Sequence, residues 1–325
     1  MSRRTVGPVV FLLVAVIGSM LFVPYFASTT NLRNLLVQSV PMLLLATGQT
    51  LVIITSGIDL SVGQVLTLGA VVASGIMDPG IGLWAALLVC ALLGLIIGGA
   101  NAVMIERFNL PPFLATLGTT FFLVGTNLFL RSAPGGYIPS SFQQIATIKL
   151  GDIPVAPVVV LIFLAGLGIV VDRSRFGLRL HAVGSDERRA RLAGVPSSRI
   201  KYVVYIASAE LAMAAGLFIA ARTGTGDPLV GTSFQLSSIT AAVLGGAALT
   251  GGLGTVWGAI IGALVLGMIS NVLNLLGVVQ YWQWVIQGVV LIVAVSIYSI
   301  ELEDLPWAQR LLKRLVTRRA AESAT

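Results

Sequence analysis

The sequence predicts an all-α protein, a polytopic bundle of transmembrane helices, and three observations carry that expectation. Hydrophobic residues make up 56% of the chain and charged residues only 10%, where a soluble chain carries about 25% charged residues. Mean hydropathy is +0.96, and the apolar residues fall into blocks near the ~20 residues that span a bilayer as a helix. The polar stretches between blocks reach at most ~30 residues, well below the size of a folding domain. The whole chain, 1–325, therefore reads as one membrane domain.

Taken in order, Arg3 and Arg4 precede the apolar run Val9–Phe26. That order is shared with signal peptides, but the run is long and many spans follow, which favours an uncleaved first helix. Further spans are expected at about 35–56, 60–77, 81–104, 112–130, 155–171, 202–221, 236–249, 255–276 and 281–299, ten in all. The 236–249 block is short enough to be re-entrant, a geometry tolerated only where protein or water surrounds it. Residues 131–154 contain Pro134, Gly135, Gly136, Pro139 and Pro154 without helical periodicity, and read as a loop. Residues 172–201 form a large basic loop, and 300–325 a basic tail.

Ten crossings put both termini on one side, and charge says which. With the N-terminus inside, every one of the 20 basic residues except Arg33, Arg131, Lys149 and Arg222 falls in a cytoplasmic segment. That is the asymmetry of the positive-inside rule. It accounts for the net charge of +7 and removes the need for a nucleic-acid partner. The expected location is a plasma membrane, with lipid as the solvent.

The run Thr55–Gly63 interrupts this apolar pattern. Asp59 lies between two spans, framed by Gly57, Ser61 and Gly63. A carboxylate facing lipid costs at least ~2.5 kcal/mol, so the segment reads as a helix–turn–helix elbow at a membrane face. Glycines permit a sharp reversal, and Ser56 and Ser61 are candidate caps. Hydration or capping at the cytoplasmic end then accommodates the charge of Asp59 without any catalytic role. A second glycine-marked break, Gly251–Gly258, is expected on the same face. Paired breaks of this kind occur in transporter repeats.

Catalytic and nucleotide chemistry are hard to find. His181 is the sole histidine and lies in the basic loop, so no Ser–His intramembrane protease is supported. No His, Cys, Asp or Glu cluster has metal-ligand spacing. The single cysteine, Cys90, excludes an internal disulfide and reads as a packing residue. None of Lys149, Lys201 and Lys313 follows a phosphate-binding loop, so no cofactor is expected on this chain. Glu210, within the Tyr202–Ala221 span, reads as a packing carboxyl or a cavity-facing one. Among the amides, Asn271 and Asn274 share a helix face by spacing, and with Gln64 they are candidates to line a pathway. Neutral amides suit an uncharged polyhydroxylated solute better than an ion.

The segment Val183–Pro196 is the other strong signal. Ser185 or Asp186 can cap a short helix, with Asp186 and Glu187 at its positive dipole end. Gly194 and Pro196 stop it after about two turns. A helix this short is marginal alone, which points to docking through Arg188, Arg191 and Leu192.

These residues carry a family pattern. Gly57-Ile-Asp-Leu-Ser-Val-Gly63 resembles the hallmark of the permease subunits of bacterial monosaccharide ABC importers of the ribose, xylose, arabinose and galactose type. Gly184–Gly194, the glycine-rich run Ala241–Gly252 with Gly258–Gly262, and Asn271–Gly277 with Tyr281-Trp-Gln283 resemble further segments of that family, in order, over residues 40–299. Asp186 and Arg189 depart from the usual Asn and small residue.

The resemblance implies the inner-membrane subunit of an ATP-driven importer that translocates a monosaccharide or related polyol. It implies a second copy or homologous permease, a periplasmic sugar-binding protein, and a cytoplasmic ATPase subunit that holds ATP and Mg. The 186–194 helix, with Asp186, Glu187, Arg188, Arg191, Leu192 and Gly194, would be the element that docks in the ATPase. A branched-chain amino-acid permease shares the architecture, and an ion-coupled secondary transporter is the remaining alternative.

Overall fold

The computed structural model describes residues 3–77 and 82–299. Its order is α1 (Arg3–Phe22), α2 (Thr29–Ile54), α3 (Val62–Ile76), α4 (Leu83–Glu106), α5 (Pro112–Leu130) and α6 (Ser140–Thr147). A two-stranded antiparallel pair, Lys149–Leu150 with Ile153–Pro154, follows. Then come α7 (Val155–Arg173), α8 (Arg175–Ser185), α9 (Glu187–Leu192), α10 (Ser197–Thr223), α11 (Phe234–Leu244), α12 (Val256–Leu275) and α13 (Gln280–Ser299). The basic tail, with Arg310, Lys313, Arg314, Arg318 and Arg319, lies outside the described residues.

The protein is an all-α membrane protein. Among the described residues six helices, α2, α4, α5, α7, α10 and α12, are long and apolar enough to cross a bilayer, while α3 and α11 are apolar but shorter. Each of the ten segments expected to span overlaps a helix, the 236–249 block only as far as Leu244. Local chemistry fixes several starts. Ser28 caps α2 by accepting from Asn31 N at 3.3 Å, and Thr255 caps α12 by accepting from Gly258 N at 3.0 Å. Pro112 supplies the preset φ of a first helical turn in α5.

Two loops contain more structure than their sequences suggest. The 131–154 segment holds α6 and the strand pair, and its Tyr137 N donates to Ser74 O at 2.9 Å. The 172–201 loop is mostly helical, holding α8 and α9 between the end of α7 and the start of α10. The short 236–249 block is α11 followed by an irregular glycine-rich loop, 245–255.

At the centre, α10 packs on α2, α3 and α4. Both α2 beyond Ser39 and most of α10 are buried, as expected of helices apolar all round. Small residues permit the contact: a Cβ on Gly216 would stand 2.0 Å from Leu66 O, the close-approach chemistry of membrane helices. By contrast α4, α5 and α7 expose long apolar faces, including Phe121, Phe122 and Phe163. The elbow, the N-terminus of α10 and the glycine loop gather at one end. Arg33 pairs with Asp152 at the other end, where Gly135 and Gly226 exchange backbone hydrogen bonds of 3.0 and 2.8 Å.

Candidate functional site

The elbow is built by close approach more than by glycine turns. The residue in the left-handed region is Ser56, at φ 61°, and neither Gly57 nor Gly63 has a positive φ. What those glycines supply is space. A Cβ on Gly57 would lie 2.5 Å from Tyr205 Oη, and one on Gly63 would lie 2.5 Å from Gly231 O.

Asp59 is not hydrated. It is 1% exposed, and its charge is met by hydrogen bonds, the alternative open to a buried carboxylate. Its Oδ1 accepts from Ser61 N at 2.9 Å and Ser61 Oγ at 2.6 Å, and its Oδ2 from Ser208 Oγ at 3.2 Å. Ser61 therefore spends its hydroxyl on Asp59 and does not cap α3 with its side chain. The network continues outward. Asn101 Nδ2 donates to Ser61 Oγ at 3.0 Å, and Thr119 Oγ1 donates to Asn101 Oδ1 at 2.6 Å. Gln49 closes the other side, its amide pairing with Asp59 O and N at 3.0 and 3.3 Å. The carboxylate itself joins the elbow to α10, the Ser61–Asn101–Thr119 chain extends it to α4 and α5, and the Asp59 backbone ties in α2.

Ser56 does not cap α2 either. Its hydroxyl is directed to Gly184 O at 3.0 Å, at the end of α8, and to Thr250 O at 3.1 Å, in the glycine loop. Gly252 N donates to Ile54 O at 2.9 Å. The two ring nitrogens of His181 lie 2.8 Å from Gly177 O and 3.1 Å from Gly254 O. Gly184 is pressed so closely against the elbow that a Cβ there would sit 1.6 Å from Ile54 O. The two glycine-marked breaks seen in the sequence thus touch, with the last turn of α8 held between them.

Beyond this junction α9 begins. Asp186 is its cap, accepting from Arg189 N at 2.9 Å. That backbone bond, with the Arg189 guanidinium, holds the Asp186 carboxyl below its ordinary range. Gly194, at φ 79°, ends the helix. Glu187 meets Lys201 Nζ at 2.7 Å and Arg191 Nη2 at 2.5 Å. Burial alone would raise the Glu187 pKa, but Lys201 and Arg191 together lower it. Lys201 also pairs at 2.8 Å with Glu106, whose side chain is 5% exposed, and Arg191 reaches it at 3.6 Å.

This four-membered network ties the expected docking helix to the ends of α4 and α10. Arg191 pairs with Glu187 and Glu106 while its side chain stays 57% exposed, and Arg188 and Leu192 are exposed beside it, Leu192 at 82%. Glu106 and Lys201 were missed from sequence because their pairing spans three helices. Their only signal was an ionisable residue at each end of an apolar block.

The three amides expected along a pathway separate. Asn271 exchanges two hydrogen bonds with Asn31, at 3.0 and 2.8 Å, and Gln64 accepts from Asn127 Nδ2 at 3.2 Å. Both are interhelical ties. Asn274 alone of the three lines a described cavity. Among the described residues no three His, Cys, Asp or Glu side chains gather as a metal site. The junction joins α8–α9 to the bundle through backbone and hydroxyl contacts.

Comparison with known proteins bears on what the bundle serves. Residues 31–295 match the family model described as branched-chain amino acid transport system / permease component. The ribose import permease protein of Escherichia coli strain K12 is 35% identical over 84% of this chain and 87% of its own. That of Bacillus subtilis strain 168 is 34% identical over 90% and 92%. The D-allose transport system permease protein of Escherichia coli is 33% identical over 88% of each. No solved structure gives a significant match.

Proposed function

The chain belongs to the branched-chain amino acid transport system / permease component family, and we propose that it translocates a monosaccharide or related polyol as the inner-membrane subunit of an ATP-driven importer. The observation that carries the substrate class is the 35% identity to a ribose import permease across 84% of this chain. Relatives named for allose and for galactose and methyl galactoside extend it. The Gly57–Gly63 elbow favours the same choice over an amino acid.

An importer of this kind works with an ATPase and a binding protein on separate chains. Here the ATPase would receive α9, with Arg188 and Leu192 in contact and Asp186, Glu187, Arg191 and Gly194 shaping the helix. Ten crossings with both termini in the cytoplasm are part of this reading. The charge asymmetry supports it, as does the position of Arg33 and Arg222 at the end of the bundle away from the elbow. Opening then needs two states with different contacts, and the clamp of Ser56 on Gly184 and Thr250 is where α9 motion would reach α2 and α3.

The test is uptake in cells carrying this chain with its co-encoded ATPase and binding protein. ATP-dependent accumulation of labelled ribose, allose or galactose is expected. Uptake of leucine or valine instead would overturn the sugar reading. Transport by the purified chain alone, driven by an ion gradient, would overturn the importer reading.

A further inference from the structure

Two cavities that share a wall lie along α11 and α13. One, of about 220 Å³, is lined by polar groups that include Gln38, Arg222, Ser270, Asn274, Gln280 and Gln283. The other, of about 290 Å³, lies between α11 and α13 and presents Trp284, Leu236 and Leu291. Ser233, Ser237 and Gln287 line both. Tyr281 braces the Trp284 ring edge-on, with centroids 5.9 Å apart and planes at 84°.

The polar side carries unused hydrogen-bonding capacity. Gln283 is 2% exposed. Its Nε2 donates to Asn274 Oδ1 at 2.8 Å and to Val278 O at 3.0 Å. That leaves Gln283 Oε1 and Asn274 Nδ2 without partners among the described residues, an acceptor and a donor side by side. Asn274 is exposed to the cavity it lines, so its amide is open to water or to a solute. Hydroxyls on adjacent carbons fit it, because each hydroxyl both donates and accepts. The one cation, Arg222, stands among several neutral amides and hydroxyls, which favours an uncharged solute over an anion.

We propose that the two cavities form one solute site, in which the amides bind the hydroxyls of a sugar-like molecule and the Trp284 indole covers its C–H face. The proposal rests on the importer reading and locates where the solute is received on the membrane subunit. Pockets of this composition, apolar with a few placed polar groups, are the usual form of a small-molecule site.

Initial uptake of labelled ribose, galactose and allose by the intact importer in cells tests it. Asn274→Leu and Gln38→Leu should each lower uptake about tenfold or more, with membrane level and ATPase association unchanged. Trp284→Ala should lose uptake that Trp284→Phe retains. Wild-type uptake in Asn274→Leu, Gln38→Leu and Trp284→Ala would overturn the site and leave the importer reading standing. Gluconate taken up in preference to all three sugars would overturn the uncharged-solute class. Absence of sugar uptake by the wild-type importer would overturn the importer reading, and the site with it.

Discussion

Replacing Gly184 by alanine sets two effects of opposite sign against each other at the junction. In a helix interior, glycine to alanine is intrinsically favourable by up to ~1 kcal/mol. At Gly184 the new Cβ would stand 1.6 Å from Ile54 O and 2.6 Å from Gly252 N. Both are backbone atoms and cannot swing aside. Relief requires the end of α8 to move outward by well over an ångström. That displacement breaks the 3.0 Å bond from Ser56 Oγ to Gly184 O and strains the 2.9 Å bond from Gly252 N to Ile54 O. Two hydrogen bonds at ~1 kcal/mol each and overpacking of ~1–3 kcal/mol exceed the helical gain, for a net loss of ~2–4 kcal/mol. The assay is sugar-stimulated ATP hydrolysis and uptake by the reconstituted importer. We expect hydrolysis to continue with uptake reduced about tenfold, because the Asp186 cap keeps α9 intact while its link to the elbow is lost. Gly99→Ala, facing open space in α4, is the control and should behave as wild type. Coupled transport by Gly184→Ala at the wild-type rate would refute the reasoning.

Three further outcomes follow from the same contacts. Asp59→Asn should retain transport and fold, since an amide oxygen can accept from Ser61 and its nitrogen can donate to Ser208. Asp59→Leu should lose ~1–3 kcal/mol per stranded donor, read as a lower unfolding temperature in detergent; equal stability of the two variants would contradict the network. Lys201→Met should destabilise by ~2 kcal/mol by leaving Glu106 with only the longer Arg191 contact, measured as weaker hydrogen-exchange protection of α9. The folded pKa of Glu187 lies below its unfolded value, so its ion pairs contribute fully above the unfolded value and fade as pH falls through the folded one. Exchange protection of residues 187–192 should therefore persist at mildly acid pH and fall only below the usual carboxylate range. Loss at near-neutral pH would refute that assignment.

Helix positions were legible because apolar length is nearly all that decides them in a membrane. The elbow was visible for the same reason, as a charge and glycines where an apolar run should continue. Its chemistry was not visible. Asp59 reads as surface-exposed until Ser208, 149 residues later, is brought beside it. The same separation hid the Ser56 contacts with Gly184 and Thr250. Helix α8 was read as loop because Arg175 and Arg179 mask its apolar face, which only packing on α7 and α10 makes evident. Spacing put Asn271 and Asn274 on one face, but the choice between tie and cavity wall was made by Asn31 on another helix. In α9 the cap and stop were readable from local residues, whereas the pairing of Arg191 with Glu106 depended on another helix.

Helix α10 meets the elbow through Ser208 and the polar cavity through Arg222. At 1.5 Å per residue these points lie ~21 Å apart on one uninterrupted rod. A tilt of only about 5° pivoting near Ser208 would carry Arg222 sideways by ~2 Å, enough to separate hydrogen-bonded groups. The depth of the bilayer thus acts as a gear ratio, turning a sub-ångström shift beneath α8 into a change in cavity shape at the far surface.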